Sequence, residues 1–334
     1  MKFLHAGMTR RQALMTTGAG IAAASFGGLH SAAAANYELI RQGYQTNMWG
    51  MPTYYLMHSG LLEKRGLKFK EFPVPSGNLT MQQMVARQVD VGTYSGPSLI
   101  IGNAKGGLVA IAQIEYVGKT VRVMGRKDLN MTKVEDLRGK KIANQVGSSV
   151  GNIFDFEVMP KHGLKKGDWQ EVRMNVNDMV SALVAKTVDA MVCVEPYNAI
   201  AEAKGIANTI TDYSDVDRMP VFMVSTPDFA EKYPDTIVEY LKAWLDAAKD
   251  FKNNYDHVSE VVFKFYGSKG YDMSEKTFKD AFSRVEVNPG FPALDKLSAY
   301  LEGHAKVLLD AKKIKEMPDF KKVLMPQFMK KAMA

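Results

Sequence analysis

Val85-Ala86-Arg87-Gln88-Val89-Asp90 returns as Val184-Ala185-Lys186-Thr187-Val188-Asp189, a shared pattern of V-A-basic-x-V-D. Each copy ends a stretch of helical character and leads into a short apolar run, Val89 to Thr93 in one and Val188 to Val194 in the other. Upstream of each, Leu62-Glu63-Lys64-Arg65-Gly66-Leu67 and Met159-Pro160-Lys161-His162-Gly163-Leu164 share a closing basic-x-Gly-Leu at nearly the same spacing. Chance similarity of two βα units would explain one echo, because A-x-x-x-V-D is a cheap pattern. The matched order of elements argues for two related units.

Outward from the echoes, each copy reads strand, loop, helix, Gly-Leu, strand, loop, helix, strand. In the first copy the strands are 37–43 and 67–74 and the helices 51–64 and 79–88. Pro52 suits a first helical turn and Gly66 a stop. In the second copy the strands are 141–145 and 169–174 and the helices 151–162 and 178–186. Strands alternating with helices give an α/β fold with mainly parallel sheets flanked by helices. Two such units predict two lobes with a cleft between them: lobe 1 over 37–123, lobe 2 over 124–220, and a return to lobe 1 with C-terminal helices over 221–334. The short apolar strands Val121–Met124 and Val221–Val224 are read as the two crossovers, hence the hinge. Amphipathic stretches at 237–253 and 294–309 are expected to pack around lobe 1 and carry no chemistry.

Residues 1–35 hold Lys2, Arg10 and Arg11 and no acid, then a small apolar run from Ala13 to Phe26, then Ala32-Ala33-Ala34-Ala35. That is the layout of a secretory leader, cleaved after Ala34 or Ala35. Thr9-Arg10-Arg11-Gln12-Ala13-Leu14 looks like a twin-arginine export signal, with Ala13 where an aromatic is common. An ordinary signal peptide carrying two arginines is the alternative. The chain has 43 basic and 36 acidic residues, net +7. Without the leader the balance is 40 against 36, net +4, and the charges are interspersed, which argues against a nucleic-acid partner. The lone cysteine, Cys193, lies in an apolar run and reads as a buried strand residue.

The residues Arg41-Gln42-Gly43-Tyr44, Ser76-Gly77 and Val89-Asp90-Val91-Gly92 are followed by Asp136-Leu137-Arg138-Gly139-Lys140-Lys141-Ile142-Ala143. Gly147-Ser148, Val188-Asp189-Ala190 and Glu195-Pro196-Tyr197 come after. None is specific alone. In this order, behind the leader and over 37–230, the chain resembles the periplasmic binding proteins of the nitrate, sulfonate and taurine class of ABC importers. That class shares its domain with thiamine-precursor binders. The resemblance implies a type II-like two-lobed receptor, monomeric, that closes on a small organic anion and passes it to a permease and ATPase in the cytoplasmic membrane. It implies neither catalysis nor a cofactor or metal.

Ligands of open α/β sheets sit beyond the carboxyl ends of strands. That rule selects six loops: 45–50, 76–78, 93–96, 115–116, 147–152 and 195–197. Their polar candidates are Gln45, Asn47, Ser76, Asn78, Ser95, Ser148, Ser149 and Asn152, at helix starts where free backbone N–H groups favour an anion. The same residues could simply cap their own helices. The aromatic candidates, Tyr44, Trp49, Tyr94, Tyr116 and Tyr197, would sandwich a flat or apolar ligand body or else pack the lobes. Glu115 and Glu195 could pair with an amine on a zwitterion such as taurine, and Glu195 could instead be a cap. These loops hold no Arg or Lys apart from nearby Lys119, which disfavours a multiply charged ligand. An aliphatic sulfonate or taurine, a nitrate-like anion, an aromatic carboxylate and a pyrimidine precursor stay open. So does an enzyme or sensor on the same fold, although His58, His162, His257 and His304 show no metal spacing.

Overall fold

A computed structural model describes residues 37–288 and 294–334; the expected leader and its expected cleavage point lie outside them. Lobe 1 begins with β1 (Ile40–Gln45), α1 (Met51–His58), β2 (Phe69–Val74), α2 (Gly77–Val85), β3 (Val91–Ser95), α3 (Gly96–Gly106) and β4 (Val109–Tyr116). Lobe 2 holds β5 (Val121–Arg126), β6 (Lys141–Asn144), α4 (Ser149–Ile153), a π-helical turn (Phe154–Val158) and α5 (Met159–Lys161). It continues with β7 (Gln170–Arg173), α6 (Val176–Val184), β8 (Ala190–Val194), α7 (Tyr197–Ala203) and β9 (Ala207–Asp212). The chain then returns through β10 (Pro220–Ser225), α8 (Pro227–Lys232), α9 (Pro234–Asn253), α10 (Tyr255–Ser268), α11 (Glu275–Phe282) and β11 (Glu286–Val287). It ends in α12 (Ser298–Asp310), α13 (Phe320–Val323) and α14 (Pro326–Met333).

The two sheets run β11-β4-β10-β3-β1-β2 and β7-β6-β8-β5-β9. Each has a parallel trio, β2-β1-β3 or β7-β6-β8, followed by an antiparallel strand, β10 or β5. The sheets are thus mixed, and the two sequence echoes fold into matching units. The basic-x-Gly-Leu echo is a helix stop in both: Gly66 and Gly163 take φ of 71° and 70°, and Leu67 and Leu164 donate back to the carbonyls of Leu62 and Met159.

Two expectations need correction. The strands read as crossovers each belong wholly to one sheet, β5 to lobe 2 and β10 to lobe 1. The chain passes between lobes in the segments before them, 117–120 and 213–219. The C-terminal helices also do more than cover lobe 1. α9 and α12 bury Tyr240, Trp244, Leu301 and Leu308 there, but α11 packs on α7 of lobe 2. The Tyr271 hydroxyl meets that of Tyr197 at 3.1 Å, and Lys204 pairs with Asp272 at 2.6 Å. Cys193 is fully buried, as its apolar run predicts. Among the described residues no helix is long and apolar enough to cross a membrane.

Candidate ligand cleft

β1 carries the chain to Asn47, whose Oδ1 accepts the Trp49 N–H at 3.0 Å and starts a short 3-10 turn over Met48–Gly50. The turn turns Trp49 toward the gap between lobes, where its indole N–H donates to Thr120 Oγ1 at 2.5 Å. From lobe 1, Ser76 precedes α2 and Ser95 precedes α3. From lobe 2, Ser148 and Ser149 open α4, with Gln145 just before them and Val176 and Val194 behind. Together with Gly77, Asn78, Tyr94, Ser98 and Val150 these residues line a narrow cleft with about 20 Å³ of free space. Gly77 is needed there for space: a Cβ would stand 2.7 Å from both Gln45 Nε2 and Tyr94 Cβ. The lobes touch across the cleft. Ser149 Oγ lies 3.0 Å from Ser98 Oγ and accepts the Ser98 N–H at 3.2 Å. The Met48 N–H donates to the Glu195 carbonyl at 3.0 Å.

Three helix N-termini therefore converge on one small space whose lining includes no charged side chain. First-turn N–H groups have no acceptor in their own helix and carry the positive end of its dipole. The serines divide into two kinds. Ser148 caps its helix, accepting the Gly151 N–H at 3.1 Å. Ser76 and Ser95 do not cap theirs; the two residues are 4% and 1% exposed, and their buried hydroxyls have no hydrogen-bond partner.

Eight of the expected residues line this cleft: Asn47, Trp49, Ser76, Asn78, Tyr94, Ser95, Ser148 and Ser149. The Tyr94 ring, however, points into the lobe 1 core, its hydroxyl 3.5 Å from Met84 Sδ. Seven others stand elsewhere. Tyr44 donates to Glu71 at 2.7 Å, and Gln45 spans to Thr93 through its carbonyl and hydroxyl. Asn152 is buried with an unpartnered Nδ2, and Tyr197 packs on Tyr271. Tyr116 lies under the Arg218 guanidinium, 4.0 Å from its ring centre, in a separate pocket with Lys119 and Glu286. Glu115 is fully buried with neither oxygen bonded, and burial alone pushes its carboxyl well above the usual range. Glu195 is the cap: it accepts the Ala199 N–H at 2.9 Å and pairs with Arg122 at 2.7 Å. Burial pushes its carboxyl up against the pull of Arg122.

The six loops left out Ser98, Gln145, Val176 and Val194, which also line the cleft. Ser98 sits in the first turn of α3, two residues beyond the loop, and the valines are an apolar wall that no motif marks. The loops also left out Arg122, whose buried guanidinium ties Glu195 to Glu202 and Thr209.

The family model described as NMT1/THI5 like matches residues 47–257. A binding protein of Brucella abortus (strain 2308) is 28% identical over 243 residues, 71% of this chain and 74% of that one. Two solved structures share the fold. One is the alkanesulfonate-binding protein SsuA from Xanthomonas axonopodis pv. citri bound to MOPS, with a TM-score of 0.76 at 17% identity over 87% of this chain and 99% of that one. The other is the periplasmic aliphatic sulphonate binding protein SsuA from Escherichia coli, with a TM-score of 0.74 at 21% identity over 87% and 92%. At such identities the likeness is one of fold. The family match spans more than half of the sequence, and this chain belongs to the NMT1/THI5-like family.

Proposed function

We propose that the chain is the extracytoplasmic solute receptor of an ABC importer and that its cargo is a small organic monoanion of the sulfonate class. The observation that carries this reading is the pair of buried, unpartnered hydroxyls of Ser76 and Ser95 at the starts of α2 and α3. Each can donate to an anion oxygen, beside backbone N–H groups that already favour one negative charge. The absence of a charged side chain in the lining suits a single charge, and the wall of Trp49, Val150, Val176 and Val194 suits an organic body better than bare nitrate. The sulfonate ligands named for the two structural relatives agree with this chemistry. Capture works by population shift: a ligand that contacts both lobes favours the closed form, which a permease and its ATPase then recognise. The segments 117–120 and 213–219 are the hinge in this account. Placement outside the cytoplasmic membrane rests on the basic leader and its twin arginines.

The test is a thermal-shift and calorimetric screen of the protein without its leader. The panel is an alkanesulfonate, taurine, MOPS, nitrate, benzoate and a pyrimidine. At a hundredfold excess over its Kd, a ligand of the folded form stabilises by about 2.7 kcal/mol. A sulfonate should give that shift, and Ser76→Ala with Ser95→Ala should raise its Kd at least tenfold, since a hydrogen bond to a charged group is worth about 1.5–3 kcal/mol. A response confined to nitrate or the pyrimidine, or a sulfonate response that the two alanines leave unchanged, rejects the assignment.

A further inference from the structure

Away from the ligand cleft, three titratable side chains from three parts of the chain meet. His304, on α12, places Nδ1 3.1 Å from Glu157 Oε1 and Nε2 3.1 Å from Asp217 Oδ2. α12 belongs to lobe 1, where Leu301, Ala305 and Leu308 join the core with Leu99 and Phe222. Glu157 belongs to lobe 2, on the π-helical turn that continues α4. Asp217 sits in the return segment between lobes, its Oδ1 accepting the Met219 N–H at 2.7 Å and its Oδ2 the Tyr300 hydroxyl at 3.0 Å. The imidazole spends one nitrogen on each carboxylate, so the three groups form an ion-paired bridge in place of a common metal-binding point.

The bridge is mechanically close to the cleft. α12 packs on the first turn of α3, where a Cβ added to Gly96 would stand 2.8 Å from the Tyr300 ring. That turn also carries Ser98, and α4, which leads into the Glu157 turn, begins with Ser149. One inter-lobe contact is therefore in the cleft, between α3 and α4, and another is the His304 bridge, between α12, which packs on α3, and the π-helical turn that follows α4.

We propose that His304, Glu157 and Asp217 form a proton-dependent latch that favours closure of the two lobes. The inference rests on the capture reading only in taking closure to serve ligand binding. Protonated His304 can donate to both carboxylates at once; neutral imidazole can donate to one only. Two carboxylates outweigh burial and raise the His304 pKa to about 9. Opening the lobes removes Glu157 and with it part of that pull. The latch is therefore fully engaged at neutral pH and is lost as pH rises through about 9. The other titratable groups facing the cluster are Tyr300 on α12, Tyr213 on the return segment and Asp155 on the π turn. Asp155 is raised to about 6 by burial and Glu171, with Lys166 and Lys313 opposing. It titrates below the window in which the latch does. Among the described residues His304 is the one cation paired with Glu157 or Asp217.

The experiment needs no ligand. Ser98→Cys and Ser149→Cys replace two hydroxyls 3.0 Å apart across the lobes, so the rate of disulfide formation under a fixed oxidant reads the closed population. Native Cys193 is buried and does not compete. The rate is compared with and without Glu157→Gln at each pH, which cancels thiol ionisation. Each pKa unit that Glu157 adds to His304 on closure is about a tenfold change in closed population. The intact latch should crosslink about tenfold faster at neutral pH, with the ratio falling toward one above the His304 pKa. A ratio of one at neutral pH, or one that holds constant to about pH 10, overturns the proposal. An NMR titration of His304 checks it independently: its pKa should drop in Glu157→Gln, and an unchanged value also overturns it. Because neither measurement uses a solute, a failed ligand screen and a failed latch are told apart.

Discussion

Asp90 and Asp189 close the same six-residue motif in the two lobes and do the same backbone work. Each donates its N–H to the middle strand of its own parallel trio, to Arg41 O at 2.9 Å and to Lys141 O at 2.8 Å. Each carboxylate accepts the N–H of that same residue, at 3.1 and 3.0 Å. The basic residue three positions earlier is left-handed in both, with φ of 59° at Arg87 and 57° at Lys186. Gln88 and Thr187 donate back to Gln83 and Ala182, completing a helix stop. The side chains then diverge. Arg41 wraps its guanidinium around Asp90 and also reaches the Arg87 carbonyl, whereas among the described residues the cation paired with Asp189 is Arg126, at 3.6 Å. The echo is therefore scaffold: it aligns the parallel strands, and neither aspartate reaches the cleft.

A second pair sharpens the contrast. Both lobes bury a glutamate near the hinge, but Glu195 is paired and Glu115 is not. Arg122→Ala would leave the buried Glu195 charge to Arg284, 3.4 Å away and partly exposed, and should cost about 3 kcal/mol of stability, while Glu115→Gln should change it by less than about 1 kcal/mol. Urea unfolding of both variants decides; a large loss in Glu115→Gln would mean that Glu115 is ionised and partnered. Next in size, Asp90→Ala should cost about 2 kcal/mol and Asp189→Ala about 1 kcal/mol, the half-exposed Arg41 adding only part of its pair. Equal losses would show that the backbone bonds carry the motif alone. Smallest, Lys186→Gly should gain under about 0.5 kcal/mol, relief of a left-handed residue set against loss of its exposed pair with Asp128 at 2.9 Å. Arg87→Gly should not, because Arg87 bonds the carbonyls of Met84 and Gly106. A gain in both would remove the distinction between the lobes.

These particulars explain what could be read from the sequence. Helix stops and strand entries are local, so the two echoes revealed both units, and Ser-Gly or Gly-Ser-Ser before a helical run marked the helix starts at Ser76, Ser95 and Ser148-Ser149 that line the cleft. Side-chain direction is not local. Tyr94 and Tyr44 sit at strand ends where the loop rule expects a cleft aromatic, yet the pleat sends both inward, to Met84 and Glu71. Val176 and Val194 carry no signal of their own because an apolar wall looks like core. His304 read as an isolated histidine, since its two partners lie far away in sequence on different elements.

The strand order has one more consequence, for how the chain is put together. The five strands of lobe 2 lie in one unbroken run from 121 to 212, so that sheet can close as soon as its last strand has emerged from the ribosome. Lobe 1 cannot: β10, which arrives only after all of lobe 2, fills the slot between β3 and β4. Until then those two strands present rows of unpaired N–H and C=O groups to each other and to any passing strand. The half of the molecule that is synthesised first is thus the half that finishes last, and its open slot is the place where a truncated or stalled chain would aggregate.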